Sequence, residues 1–198
     1  MGQTPSPKQS ESNPGTSRSQ TPTPVAASAA KAKNNPFLQG PATQYRMESG
    51  AGRERSLVLT VPSKATPAKL WEILTGYDNL KQFVPDVLVS EREGQDGSAV
   101  IVHTVSLTRL FFFVFKVNLH LRIIEHPQQH SLDFERIAGE FDQFRGSVEL
   151  PSEAGSTSLV FHATVVPNGH IPDWVLRDMT QHFLVPVFEA IRAQAESH

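Results

Sequence analysis

The chain has 198 residues, of which 38% are hydrophobic, and it carries 18 Lys and Arg against 20 Asp and Glu, with no cysteine. This length suffices for one domain with a core of its own. The missing cysteine excludes disulfides, thiolate nucleophiles and cysteine-ligated zinc, and no run approaches the roughly 18 apolar residues of a membrane-spanning helix.

Composition divides the chain near residue 52. The first 50 residues hold seven of the fifteen prolines and seven serines, so they cannot bury enough apolar surface to offset the entropy lost on ordering. We predict a disordered Pro/Ser/Thr/Gln-rich tail over residues 1–52 and one domain over residues 53–198. The expected location is cytoplasmic. The alternative is a plastid or another organelle if residues 1–50 are a transit peptide, although they lack clear Arg-rich amphipathicity.

Charge divides the chain in the same way. Up to Arg55 there are seven Lys and Arg against three Asp and Glu, and from Ser56 onward there are eleven against seventeen. An acidic domain is a poor electrostatic candidate for binding a nucleic acid duplex. We therefore expect no nucleic-acid partner.

Two short helices are predicted between the first two strands. Thr66 is a suitable N-cap, Pro67 suits the first helical position, and Gly76 ends the helix. Asp78 is expected to cap a second helical turn. Pro85 then prevents the helix from continuing, so the chain leaves as a strand near residue 87.

From Ser56 onward, seven segments show the two-residue period of strands. They are residues 56–61, 87–93, 98–107, 111–125, 131–137, 143–150 and 157–166. The connections after the helix pair are short and rich in turn residues, such as Gly94-Gln95-Asp96-Gly97. Such turns favour an antiparallel meander over βαβ units.

The fourth predicted strand, residues 111–125, alternates most clearly. One face carries Phe111, Phe113, Phe115, Val117, Leu119, Leu121 and Ile123, and the other carries Lys116, Asn118, His120 and Arg122. The apolar face is expected to be buried. Phe112 and Val114 would point outward, either against the tail or a loop, or as a patch for a small partner or a transient membrane contact.

A long helix is predicted from about Pro172 to Glu196. A broad apolar face centred on Leu176, Phe183 and Val187 should lie on the concave side of the sheet. Pro186 inside this helix should bend it.

Together, the predicted elements form the α+β helix-grip fold. In this fold, a curved antiparallel sheet, here of seven strands, wraps around a long C-terminal helix, and two short helices follow strand 1. Motifs in this frame resemble START-like proteins of the SRPBCC superfamily, namely the polyketide cyclase/dehydrase and coenzyme Q-binding families. The matching segments are Val61-Pro62-Ser63, Leu70-Trp71-Glu72-Ile73-Leu74-Thr75, Tyr77-Asp78-Asn79-Leu80, Phe83-Val84-Pro85, Leu132-Asp133-Phe134, Gly139-Glu140-Phe141-Asp142-Gln143-Phe144-Arg145-Gly146 and Ile171-Pro172. The resemblance covers about residues 56–196 and is closest to cyanobacterial and plastid members.

The resemblance implies an elongated apolar cavity between the sheet and the C-terminal helix, with a lipid, an isoprenoid quinone or a similar molecule as ligand. Strand and helix periodicity predicts its lining as Phe113, Phe115, Val117, Phe134, Phe144, Phe161, Phe183 and Val187. The alternative is that these side chains simply fill the core.

Two polar residues are candidates for ligand contact inside this cavity. His103 shares a face with Ile101 and Val105, so a neutral imidazole there could hydrogen-bond a ligand carbonyl; the alternatives are a satisfied core histidine or an outward position. Arg136 follows Leu132 and Phe134 on the inward face, where it could anchor a quinone oxygen or a carboxylate, or instead extend to solvent.

Two functions follow from these patterns. The favoured one is binding or transport of a hydrophobic small molecule, with no catalytic residues, no metal and no cofactor. The alternative is a polyketide cyclase or aromatase in which His103 or Arg136 polarises a carbonyl in the same cavity. The sequence does not fix the oligomeric state.

Overall fold

The computed structural model describes residues 42–110, 113–153 and 155–197, with the backbone alone of Leu110 and Phe113. Within these ranges, nine strands form one antiparallel sheet. Their bounds are β1 Gln44–Ser49, β2 Arg55–Ser63, β3 Val87–Asp96, β4 Ala99–Leu110, β5 Phe113–His126, β6 Ser131–Gly139, β7 Gln143–Glu149, β8 Ser152–Glu153 and β9 Ser156–Val166. The strand order is β1-β2-β9-β7-β6-β5-β4-β3, and β8 pairs with β9.

The predicted helix-grip fold is confirmed, although the number of strands differs. The seven predicted segments are β2 to β7 and β9, and the additional strands are β1 and the two-residue β8. Strand β1 lies inside the predicted tail, residues 1–52, but pairs with β2, and its Tyr45 and Met47 pack against the core. Residues 44–49 therefore belong to the sheet. The predicted tail up to residue 41 lies outside the described residues.

The two predicted helices after β2 are present. Helix α1 spans Pro67–Thr75, and a 3-10 helix spans Tyr77–Gln82. Thr66 caps α1 by accepting a hydrogen bond from the Lys69 N–H. The capping role expected for Asp78 is wrong, because Gly76 occupies the cap position of the 3-10 helix. Instead, Asp78 accepts a hydrogen bond of 2.9 Å from the Arg92 N–H and ties this helix to β3.

The C-terminal helix consists of three consecutive segments. They are α2 Asp173–Met179, a π-helical segment Thr180–Leu184 and α3 Val185–Glu196. Pro186 lacks the N–H that an α-helix would bond to the carbonyl of residue 182. The π-helical segment ends two residues before this proline, at Leu184, so the hydrogen-bond pattern of the helix changes next to Pro186. The bend expected at Pro186 stays a prediction.

Strand β2 holds the C-terminal helix at both ends. At its first residue, Arg55 Nη2 lies 2.7 Å from Asp173 Oδ1 at the start of α2. At its last residue, the Ser63 hydroxyl donates a hydrogen bond of 2.9 Å to Glu196 at the end of α3. The Lys64 N–H donates to the same carboxylate at 2.7 Å. These contacts set the position of the helix along the sheet.

Aromatic rings fill the core between α3 and the centre of the sheet. Phe134 stacks on Phe161 with ring centroids 5.5 Å apart, and Phe161 contacts Phe188 of α3 at 5.0 Å. Phe144 lies 5.1 Å from Phe134. Such close aromatic pairs contribute beyond the area that they bury. Packed side chains therefore fill this end of the interior.

Candidate functional site: an internal cavity with buried hydroxyls

A cavity of about 250 Å³ lies between the concave face of the sheet and the C-terminal helix. A lining of Leu, Ile and Phe around about 150 Å³ is enough to hold benzene, so this volume has room for a ligand with more than one ring. Phe141, Met179 and Phe183 line the cavity and are also partly exposed. The cavity therefore reaches the surface at these side chains.

The wall of the cavity is mostly aliphatic and aromatic. The helix contributes Leu176, Met179, Thr180, Phe183, Leu184 and Val187, and the π-helical segment supplies three of these. The sheet contributes Met47, Leu57, Val87, Val117, Leu119, Leu121, Phe144 and Val165. A π-helical turn is often found at a functional site, and here it directs Thr180, Phe183 and Leu184 to the same cavity.

A line of hydroxyl groups crosses this apolar wall. Thr104, Ser106 and Thr108 lie at alternate positions of β4 and therefore share one face, and Ser90 of β3 is directly opposite Thr104. Ser90 and Thr108 are each 1% exposed, and neither hydroxyl has a hydrogen-bond partner among the described residues. A buried polar group without a partner costs about 1–3 kcal/mol. Both oxygen atoms are covered by surrounding protein atoms, so neither is open to a ligand in the cavity.

Among the described cavity-lining residues, Arg55 carries the one charged side chain. Its guanidinium already has an ion-pair partner and hydrogen-bond acceptors within the protein. Its Nε and Nη2 contact Asp173 at 2.8 and 2.7 Å. Its Nη1 donates to the carbonyls of Gly52 and Glu54 at 3.1 and 2.7 Å. The cavity consequently presents no uncompensated charge from the described part of the chain.

Four of the predicted ligand-binding residues line the cavity: Val117, Phe144, Phe183 and Val187. That they contact a ligand stays a prediction. Phe134 and Phe161 point inward but belong to the solid aromatic core, which is the alternative that the sequence left open. Phe115 is paired with Thr108 and so shares the inward face, but near the start of β5 it is 48% exposed and does not line the cavity. The Phe113 side chain lies outside the described residues.

The inward orientation predicted for His103 is wrong. Its ring stacks on His120 with centroids 4.4 Å apart, and its Nε2 lies 2.9 Å from Asn118 Oδ1 on the outer face of the sheet. Both faces of β4 carry apolar residues, so hydrophobicity alone could not decide which face is inside. The inner face bears Val100 and Val102 in the core and then hydroxyls along the cavity.

Arg136 binds backbone carbonyls instead of facing the cavity. Its Nε and Nη2 donate to the Gly139 carbonyl at 3.1 and 3.0 Å, and its Nη1 donates to the Asp142 carbonyl at 3.4 Å. It thus holds the loop between β6 and β7. That loop carries Phe141, which has a backbone φ of 76° and lines the cavity. A bulky residue in this left-handed region is strained, and the hydrogen bonds of Arg136 hold the two ends of the loop that carries it.

Tyr77 fastens the 3-10 helix to the sheet. It is 4% exposed, and its hydroxyl donates a hydrogen bond of 3.0 Å to Glu125 on β5. The Arg92 guanidinium lies 5.1 Å above its ring. Burial, reinforced by the Glu125 carboxylate, raises the pKa of Tyr77 well above its ordinary value. The phenol therefore stays neutral, and it packs the 3-10 helix against β5.

The hydroxyl line and Phe141 are the cavity features that sequence reasoning missed. The signal for the hydroxyls was the alternation Thr104-x-Ser106-x-Thr108, which resembles an ordinary solvent-facing strand. No group of three or more His, Cys, Asp or Glu side chains in the described part of the chain could hold a metal ion. Among these residues, no helix is long and apolar enough to cross a membrane.

Comparisons with known proteins agree with this architecture. The model of a family described as polyketide cyclase/dehydrase and lipid transport matches residues 63–188. No curated protein matches the chain in sequence.

Solved structures with the same fold include proteins with different activities. TTHA0849 from Thermus thermophilus is 15% identical with a TM-score of 0.62, over 72% of this chain and 97% of its own. The Zhui aromatase/cyclase from a Streptomyces species gives the same identity and TM-score, over 72% and 94%. A STAR-related lipid transfer protein from Xanthomonas axonopodis is 16% identical with a TM-score of 0.63, over 79% and 95%. At such identities, the similarity establishes the fold alone.

Proposed function

The chain belongs to the polyketide cyclase/dehydrase and lipid transport family, and we propose that it binds a hydrophobic small molecule in its internal cavity and carries it without chemical change. The observation that carries this proposal is the cavity itself. It lies between the sheet and the C-terminal helix with an opening to the surface, its wall is largely apolar, and its lining includes Phe144 and Phe183. Sites of this kind are typical of small-molecule binding.

The absence of a suitable acid and base in the described lining favours a carrier over an enzyme. General acid–base chemistry needs a titratable group within hydrogen-bond reach of the reacting atom. The two residues considered for a cyclase, His103 and Arg136, contact Asn118 and the loop carbonyls instead. The charged lining residue Arg55 is held by Asp173. The identity of the ligand as a quinone or another isoprenoid, and the likeness to coenzyme Q-binding, cyanobacterial and plastid proteins, stay predictions.

Native mass spectrometry of the full chain, purified from its own host without detergent, tests this proposal. We expect a fraction of the protein to carry a mass that disappears after extraction with organic solvent and that is recovered unchanged in the extract. Repeated recovery of empty protein that also takes up no hydrophobic compound from a host lipid extract would refute it. Conversion of an added compound into a product of different mass would refute the claim that the ligand is carried unchanged.

A further inference from the structure

Exposed apolar side chains are concentrated at one end of the domain. Five large hydrophobic side chains of the described residues are between 48% and 55% exposed, and four of them lie at the end of the sheet where β4 leads into β5. These four, which we call the apolar end, are Leu88 at the start of β3, Val114 and Phe115 at the start of β5, and Trp174 in the first turn of α2. Single exposed apolar residues are ordinary, but a group of them indicates an interaction surface.

Strand pairing accounts for this grouping. Val114 and Phe115 pair with residues near the end of β4. Leu88 lies between two residues of β3 that pair with Val105 and Ser106, in the same half of β4. Helix α2, which carries Trp174, contacts β4 as well.

The connection between β4 and β5 departs from ordinary turn chemistry. Leu110 pairs with Phe113, so two residues, Phe111 and Phe112, connect the strands. Two-residue hairpin connections normally contain Gly, Asn or Asp. Here, residues 110–115 are instead six consecutive apolar residues, Leu-Phe-Phe-Phe-Val-Phe. Such a run is unfavourable against water, so it indicates an apolar contact at this end.

The apolar end lies next to the cavity. Val117 lines the cavity two residues after Phe115, and Leu176 lines it two residues after Trp174. Met179, where the cavity reaches the surface, belongs to the same helix as Trp174. A hydrophobic molecule that leaves the cavity here would enter water unless this end faces an apolar phase.

Two positive charges flank the apolar end. Lys116 follows Val114 by two residues, and Arg177 follows Trp174 by three and therefore lies on the same side of α2. Both side chains are exposed, and neither has an ion-pair partner among the described residues. Aromatic and aliphatic side chains that enter a bilayer interface are typically accompanied by Lys and Arg at the level of the lipid phosphates. The pattern is therefore complementary to a phospholipid surface.

We propose that the apolar end inserts into the interface of a phospholipid bilayer and that the ligand passes there between the bilayer and the cavity. This inference rests on the proposed function, because it assigns the place where the cavity is loaded and emptied. From Ser56 onward, eleven Lys and Arg stand against seventeen Asp and Glu. Attraction to an anionic membrane therefore does not drive the contact, and a neutral bilayer suffices.

Vesicles of phosphatidylcholine test this inference with the full chain. The chain has two tryptophans, Trp71 and Trp174. The Trp71 ring lies 6.1 Å from that of His130, beyond the last residue of β5. At about 3.3 Å per residue, that end of β5 is about 40 Å from Val114. Brominated phosphatidylcholine should therefore quench the fluorescence of Trp174 in Trp71→Phe but not that of Trp71 in Trp174→Phe.

The double variant Leu88→Asp with Val114→Asp should bind the vesicles about ten-fold more weakly, because it removes two half-exposed apolar side chains from the contact. Its affinity for the neutral fluorophore N-phenyl-1-naphthylamine, measured without vesicles, should be unchanged. Ile137→Asp is the matched control, since Ile137 is equally exposed but lies on β6 beside the middle of β5. It should bind the vesicles like the wild-type protein. Thermal unfolding of each variant confirms that its fold is intact.

The outcomes separate this inference from the proposed function. If the wild-type protein binds the fluorophore but not the vesicles, the inference is overturned and the apolar end is left for a protein partner. Vesicle binding without quenching of Trp174, or undiminished in the double variant, would likewise overturn it. Failure of the wild-type protein to bind the fluorophore without vesicles would refute the proposed function, and the inference with it.

Discussion

Replacing Thr108 with valine should stabilise the empty protein. Valine has nearly the same shape as threonine, so the substitution replaces the hydroxyl with a methyl group and changes little else. That hydroxyl is 1% exposed and has no partner among the described residues. Since an unsatisfied buried polar group costs about 1–3 kcal/mol, we expect the free energy of unfolding to rise by about 1 kcal/mol. For a domain of this size, the midpoint temperature should rise by about 2–4 °C.

Thr180→Val provides a matched control with the opposite expected sign. Thr180 is also buried and also lines the cavity, but its hydroxyl donates a hydrogen bond of 2.9 Å to the Leu176 carbonyl. Loss of that bond should lower the free energy of unfolding by about 1 kcal/mol. The two threonine variants should therefore differ by about 2 kcal/mol in urea unfolding monitored by circular dichroism.

Urea unfolding of ligand-free protein tests both expectations, namely that Thr108→Val raises the free energy of unfolding and that Thr180→Val lowers it. Unfolding the protein in urea, washing it and refolding it before the measurement removes any bound molecule, so that the variants are compared in the empty state. If Thr108→Val is less stable than the wild-type protein by about 1 kcal/mol or more, its hydroxyl has a partner in solution and the reasoning is refuted. If both variants lose the same stability, the distinction drawn between the two hydroxyls is wrong.

Three further predictions concern the sheet, the loop and the helix pair. Gly146→Ala should reduce stability by more than about 2 kcal/mol, measured by thermal unfolding, because an added Cβ would lie 1.8 Å from the His162 carbonyl oxygen; a neutral effect would contradict the close strand approach. Arg136→Ala should weaken binding of the fluorophore N-phenyl-1-naphthylamine several-fold, because it releases the loop that carries Phe141. Unchanged affinity would show that the loop keeps its conformation without Arg136. The free energy of unfolding should fall as the pH rises above about 10, because Tyr77 ionises in the unfolded state but stays neutral in the folded state, where its pKa is raised. Tyr77→Phe should flatten this decline in urea titrations at alkaline pH. An equally steep decline in Tyr77→Phe would refute the role given to Tyr77.

The fold was predictable because its strongest signals are local. Residues 66–76 combine an N-cap, a proline and a terminal glycine, and the C-terminal helix has a broad apolar face, so both appear where they were expected. Strand β1 was missed because its pairing with β2 is a contact between segments, and its six residues are embedded in a stretch rich in proline and serine.

The site was predicted less well than the fold, and β4 shows why. Alternation fixes which residues share a face but not which face is inside. In β4, the face with Ile101, Val105 and Leu107 is more apolar than the one with Thr104 and Thr108, yet the hydroxyl face lines the cavity. The more apolar face of a strand is therefore not always the inner one.

Equilibrium titration of the full chain with N-phenyl-1-naphthylamine tests the central claim most directly. We expect saturable binding of one molecule per chain, abolished by Val187→Trp because the indole occupies the cavity. Ile137→Trp, at a half-exposed position away from the cavity, is the control and should bind like the wild-type protein. Undiminished binding by Val187→Trp, with its fold intact, would contradict the account, because the ligand would then lie outside the cavity.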